Sequence, residues 1–261
     1  MPAIEYNCAM YPCQVAPPRI RASPDGKHAD APVPRLPRCL ALLALLSLGL
    51  GMALGATREL GFSRSVSAGL VERYAARFGP PGRTRISGWQ EFVRSIPAER
   101  RLPGNERELL ESVNTFFNRL PFLTDLAHWG VEDYWATPAE SVASNGADCE
   151  DFSIAKYFAL KELGVPIQRL RITYVKAVRL NQAHMVLAYY PEPGAQPLIL
   201  DNLENEVRPA SERADLIPVY SFNDEDLLVS RPGQRSASAG SATQIRLWRA
   251  LLDKLEQELL Y

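Results

Sequence analysis

Cys149, His184 and Asp201 are a thiol, an imidazole and a carboxylate whose order along the chain could support acyl transfer. Three of the four cysteines, at 8, 13 and 39, lie near the N-terminus. A chain cut after residue 56 would keep one thiol and form no internal disulfide. A lone thiol is either buried and inert or a nucleophile. Cys149 follows Asn145-Gly146 at the predicted start of a helix, where backbone N–H groups and the helix dipole favour the thiolate. A nucleophilic cysteine needs a base within hydrogen-bond reach. Beyond residue 56 the histidines are His128, which reads as structural, and His184, which opens an apolar strand. A third group must orient the imidazole. Asp201 ends the run Leu198-Ile199-Leu200 and can do so, or it is a turn aspartate beside Asn202.

Asp148, Glu150 and Asp151 flank the cysteine. Three carboxylates would oppose a thiolate by like-charge repulsion unless something compensates them. Two readings are open: acids placed at a helix start for dipole reasons, or ligands of a hard cation such as calcium, which takes six to eight oxygens. Asp224, Glu225 and Asp226 form a second acidic group that reads as a solvated turn. The oxyanion of acyl transfer needs two donors. The Cys149 N–H is one candidate; Trp135 or Asn145 could supply the other, and Trp135 reads equally as core.

Helical spacing of apolar residues predicts a helix over 68–78, ended by Pro80-Pro81-Gly82, and another over 105–120. Thr137-Pro138 opens a short turn. A helix over 147–163 follows, with Phe152, Ala155, Phe158, Ala159 and Leu163 inward and Gly164 as its stop. After Pro166 the period becomes two, giving strands near 170–174, 183–190, 198–203 and 218–222. Short connections between them predict an antiparallel sheet. The strands at 183–190 and 198–203 are close enough to pair as a hairpin, which brings His184 towards Asp201. Residues 230–243 are rich in Ser, Gly and Ala and read as a flexible linker; 244–261 read as a closing amphipathic helix. The fold class is therefore α+β, with one domain over 57–229.

The chain has 261 residues, 46% hydrophobic and 23% charged, the profile of a globular protein. A formal net charge of −1 argues against nucleic acid as a partner. Residues 1–38 carry eight prolines and no apolar period, as expected of a disordered or over-extended N-terminus. Arg35 and Arg38 then precede sixteen uncharged residues, Cys39 to Leu54, and the small residues Gly55-Ala56. This is the pattern of a signal peptide over 39–56, with a membrane anchor as the alternative. Both predict an exported chain.

Five blocks in order carry a resemblance: Gly146-Ala-Asp-Cys-Glu-Asp-Phe-Ser-Ile-Ala-Lys-Tyr-Phe158, Leu170-Arg-Ile-Thr-Tyr-Val175, Ala183-His-Met-Val-Leu-Ala-Tyr-Tyr190, Leu198-Ile-Leu-Asp-Asn-Leu203 and Pro218-Val-Tyr-Ser-Phe-Asn223. Together they resemble the bacterial transglutaminase-like cysteine proteinases of the periplasmic LapG type, over residues 85–228. The resemblance implies a papain- or transglutaminase-like fold, with the catalytic cysteine at a helix N-terminus packed on an antiparallel sheet. It implies a triad of Cys149, His184 and Asp201, and a calcium ion held by Asp148, Glu150 and Asp151. It implies cleavage of a large surface adhesin near its N-terminus, at a pair of alanines, releasing cells from biofilm. The implied regulator is an inner-membrane cyclic di-GMP receptor whose periplasmic domain sequesters the protease. Two other readings share the fold: a transglutaminase-type acyl transferase, and a catalytically idle adaptor.

Overall fold

The computed structural model describes residues 68–97, 99, 106–230 and 236–259. The N-terminal segment 1–38 and the signal-peptide or anchor segment 39–56 lie outside the described residues. Among the described residues, no helix is long and apolar enough to cross a membrane.

Helix α1 (Ala68–Ser95) is two helices joined at a kink. Gly79 sits at φ 71°, a conformation that a side chain disfavours, and Pro80-Pro81 start the second half. The punctuation therefore ends the first helix as expected, but a second one begins at once and buries Ile86, Trp89 and Val93 at helical spacing. Helix α2 (Glu106–Phe117) buries Leu109, Leu110, Val113 and Phe117. A single turn, α3 (Asp125–His128), follows, capped by Thr124.

The expected turn at Thr137-Pro138 is a full helix, α4 (Pro138–Ser144). Thr137 Oγ1 accepts from Glu140 N at 3.1 Å, and Glu140 Oε2 accepts from Thr137 N at 3.0 Å. This reciprocal cap and a proline at the first position explain why so short a segment is helical. The Arg85 side chain on α1 donates to the Val142 and Ala143 carbonyls at the other end of α4. Helix α5 (Cys149–Glu162) is the centre of the fold. Every residue from Cys149 to Tyr157 is buried, so the single inward face expected from the sequence is a helix buried all round. It packs on α2, α4 and two strands of the sheet.

The sheet has seven strands: β1 (Leu170–Ala177), β2 (Gln182–Tyr189), β3 (Leu198–Leu200), β4 (Arg208–Pro209), β5 (Leu216–Phe222), β6 (Leu227–Val229) and β7 (Ala237–Gly240). Their spatial order is β4-β3-β2-β1-β5-β6-β7, and every pairing is antiparallel. Alternate residues Leu170, Ile172 and Tyr174 of β1 and Met185, Leu187 and Tyr189 of β2 join the helices in one apolar core. Val186, Ala188 and Ile199, pointing the other way, form a smaller cluster with Val175.

The segment read as a flexible linker is not one throughout. Residues 237–240 pair with β6 as the edge strand β7, and Ala242–Gln244 form a 3-10 turn. Backbone pairing holds this stretch, which its small side chains could not signal. Helix α6 (Arg246–Leu259) then returns to the core, with Trp248 and Leu251 fully buried. Trp248 stacks on Phe158 of α5 and meets Phe222 of β5 edge-on. Burial of such side chains contributes about 1.5–3 kcal/mol each, so α6 is part of the domain rather than an appendage.

Candidate active site

Cys149 owes its position to the segment before it. Ala147 is held on both sides of its peptide: its N–H donates to Pro121 O at 3.2 Å and its carbonyl accepts from Leu123 N at 3.0 Å. Asn145 ends α4 at φ 63°, and Gly146 passes tightly over His128. A Cβ on Gly146 would lie 2.5 Å from Leu123 Cδ1 and 2.7 Å from His128 Cε1, so any side chain there would push both aside. His128 Nε2 in turn is 2.8 Å from Ser144 Oγ, which gives this histidine the structural role expected of it. The chain extends through Asp148, and α5 starts at Cys149.

The Cys149 sulfur is buried and lies 3.0 Å from Glu150 Oε2. Helix α5 packs across β2, the strand that carries His184.

The structure joins His184 to Asp201. The hairpin of β2 and β3 pairs Leu187 with Leu200, a register that sets Asp201 one diagonal step from His184. His184 Nε2 is 2.7 Å from Asp201 Oδ1, with both side chains almost fully buried. Asp201 Oδ1 also accepts from Leu203 N at 3.0 Å. Arg213 Nη2 donates to Asp201 Oδ2 at 2.8 Å. Burial alone would push the Asp201 carboxyl up. The His184 charge and hydrogen bond, with the Arg213 guanidinium, overcome this and hold it well below the usual carboxylate range. Lys156, about two turns along α5, is a buried amine that Asp201 helps to keep charged; burial brings its ammonium down to about 7. With Nε2 committed to Asp201, Nδ1 is the ring nitrogen left to exchange a proton.

The acids around the cysteine do not behave as helix caps. Asp148 occupies the N-cap position of α5 but makes no capping hydrogen bond. Its side chain instead gathers with Asp125 and Glu150, whose oxygens lie within 4.8 Å of one another. One oxygen each of Asp125, Asp148, Asp151 and Asp133 is buried without a hydrogen-bond partner. Asp125 Oδ2 accepts from Tyr134 N at 2.6 Å, and Asp151 Oδ1 from Ala136 N at 2.7 Å. Burial and mutual repulsion push Asp125 up to about 6 and Glu150 up to about 8, and raise Asp148 and Asp151 well above the ordinary carboxylate value. Three converging buried carboxylates, two of them with an unpartnered oxygen, are a donor set for a hard cation. Asp148, Glu150 and Asp151 were legible as candidates; Asp125 and Asp133 were not, because only the fold brings them in.

Trp135 is core, stacked on Phe222. Asn145 is exposed as the C-cap of α4. Asp224 and Asp226 pair with Lys161 and Arg171 in a turn organised by Asn223, whose Oδ1 accepts from Glu225 N and Asp226 N. Arg213 escaped the sequence reading as well; a basic residue between a 3-10 turn and a strand carries no signal of its partner.

The family model described as bacterial transglutaminase-like cysteine proteinase matches residues 92–216. Among solved structures, the chain is similar to EGTA-treated LapG of Legionella pneumophila, with 39% identity and a TM-score of 0.60 over 73% of this chain and 98% of that one. It is similar to calcium-bound LapG of the same organism, with 39% identity and a TM-score of 0.59 over 73% of this chain and 99% of that one. No curated protein sequence matches.

Proposed function

The chain belongs to the bacterial transglutaminase-like cysteine proteinases, and from that premise we propose that it is a calcium-dependent periplasmic endopeptidase with Cys149 as nucleophile, His184 as base and Asp201 as its orienter. The observation that carries this reading is the buried His184–Asp201 hydrogen bond of 2.7 Å, on a strand against which packs the central helix that Cys149 opens.

His184 Nδ1 takes the thiol proton, and Asp201 at Nε2 stabilises the imidazolium that results. The thiolate sulfur attacks the scissile carbonyl carbon, and the electron pair moves onto oxygen. Cys149 is the first residue of α5, so its backbone N–H points out of the helix start and suits that oxyanion. Collapse breaks the C–N bond, and His184 returns the proton to the leaving amine. A thioester remains on Cys149. Water, deprotonated by His184, then attacks the thioester and releases the acid and the thiol.

Calcium fits the acidic cluster by its chemistry: all-oxygen donors, buried, with unsatisfied lone pairs. Asp148, Glu150 and Asp125 would hold it, with Asp151 and Asp133 beside them. Bound there, the ion would neutralise the carboxylates next to the nucleophile and fix the start of α5. The calcium-bound state of the Legionella relative supports this reading.

The proposed substrate is a large surface adhesin cut near its N-terminus at a pair of alanines, which releases cells from biofilm. The proposed regulator is an inner-membrane cyclic di-GMP receptor that sequesters the enzyme through its periplasmic domain. Both rest on the likeness of the sequence blocks to the LapG type. The test is cleavage of a purified adhesin N-terminal region, followed by gel and N-terminal sequencing. Wild type should cut it in calcium, and Cys149→Ala and His184→Ala should not. Cutting by folded Cys149→Ala would overturn the assignment.

A further inference from the structure

Arg213 is a buried cation outside the three residues of the proposed triad, and its Nε and Nη2 donate to two carboxylates. Nη2 reaches Asp201 Oδ2 at 2.8 Å. Nε and Nη2 reach Asp215 Oδ1 and Oδ2, each at 3.1 Å. The Arg213 side chain is 9% exposed and that of Asp201 1%, so this is not a solvent-screened surface pair. The backbone of Arg213 is fixed as well: its N–H donates to Ala210 O at 3.1 Å and its carbonyl accepts from Leu216 N at 3.0 Å. The short strand β4 and the 3-10 turn Ala210–Glu212 thus deliver one side chain to the back of Asp201.

The chemistry of Asp201 gives that delivery a purpose. The terminal torsion of an aspartate is soft, so one hydrogen bond to an imidazole does not fix the carboxylate plane. Here Oδ1 serves His184 and Leu203 N while Oδ2 serves Arg213, and the two oxygens cannot exchange places without breaking all three bonds. The charged groups facing Asp201 are His184 from β2, Arg213 from the turn before β5 and Lys156 from α5; Asp215 balances Arg213 from behind.

We propose that Arg213 is a positioning residue: it locks the plane of Asp201 so that His184 presents Nδ1 to Cys149 in one orientation. This rests on the triad reading above. Arginine suits the role because its planar fork engages both Asp201 and Asp215, whereas a lysine ammonium is a point charge.

The test uses the reduced full chain labelled with 15N-histidine, as wild type, Arg213→Met, Arg213→Lys and Asp215→Asn. One readout is the His184 Nε2–H resonance, which is shifted downfield and protected only while the bond to Asp201 is held. The other is the rate at which iodoacetamide alkylates Cys149 at one fixed pH, read by peptide mass spectrometry. Arg213→Met should lose the resonance and slow alkylation about tenfold or more, the order that removing an outer-shell partner costs. Arg213→Lys should restore the resonance and part of the rate. Asp215→Asn, which frees Arg213 from its outer anchor, should weaken both readouts, and it decides the matter if Arg213→Met does not fold. An unchanged resonance and rate in a folded variant would make Arg213 a structural ion pair only and overturn the proposal. A wild-type Cys149 no more reactive than free cysteine would count against the triad instead, because the resonance reads Arg213 without the thiol.

Discussion

Removing calcium should change the pH dependence of stability as well as activity. In the metal-free chain Asp125 is raised from 3.8 to about 6, and Glu150 from 4.5 to about 8. Both folded values lie above the unfolded ones. Stability is therefore fully present below pH 4 and is lost as the pH rises through about 6 for Asp125 and about 8 for Glu150. Calcium favours the ionised carboxylates and releases their protons, so its affinity rises over the same window. At free calcium about one hundred times Kd, binding stabilises the fold by about 2.7 kcal/mol, and a domain of this size gains about 2–4 °C per kcal/mol. The expected gap in Tm at neutral pH is therefore about 5–11 °C. It should be smallest near pH 5 and widen towards pH 8 and above. Scanning calorimetry in EGTA and in calcium across that range measures it. Glu150→Gln removes the charge while keeping the shape. It should raise Tm in EGTA at alkaline pH and abolish the calcium shift. Equal melting in EGTA and calcium at every pH would refute the metal reading and leave the acids as helix decoration.

Gly146→Ala should destabilise the chain by about 1–3 kcal/mol and lower activity, because the added Cβ would sit 2.5 Å from Leu123 Cδ1 where the chain turns into Cys149; a melting curve equal to wild type would contradict the tight crossing. Thr137→Ala should cost about 1 kcal/mol by opening the reciprocal cap of α4, and urea unfolding will report it. Asp201→Asn should lower turnover sharply, since an amide can orient the ring but cannot stabilise the imidazolium; a turnover equal to wild type would remove Asp201 from the mechanism. A labelled amine offered with a glutamine substrate should not be incorporated faster than water hydrolyses the thioester, and preferential incorporation would favour acyl transfer over proteolysis.

Residues that act through local pattern were readable from sequence. Asn145-Gly146 placed the start of the helix that carries Cys149, and period-two alternation found the hairpin that brings His184 to Asp201. What escaped depends on contacts between distant segments. Asp125 joins Asp148 and Glu150 only because Phe122 bridges Ala147, and a lone acid at a helix start gives no hint of it. Arg213 reaches Asp201 through an edge strand of two residues, too short to read. Strand β7 is Ala-Ser-Ala-Gly, a composition that speaks for a linker until its backbone finds β6. The second half of α1 went unread, although Ile86, Trp89 and Val93 stand at helical spacing, because the prolines before it look like a stop.

The central claim is that Cys149 becomes acylated by substrate. A reaction of wild-type protein with the adhesin N-terminal region in calcium, quenched in acid within the first turnover, tests it by intact-protein and peptide mass spectrometry. The account predicts a thioester on the Cys149 peptide, with the mass of the N-terminal cleavage product, that decays in water and never forms in Cys149→Ala. Substrate cleavage with no adduct on Cys149, and the same rate in folded Cys149→Ala, would contradict it.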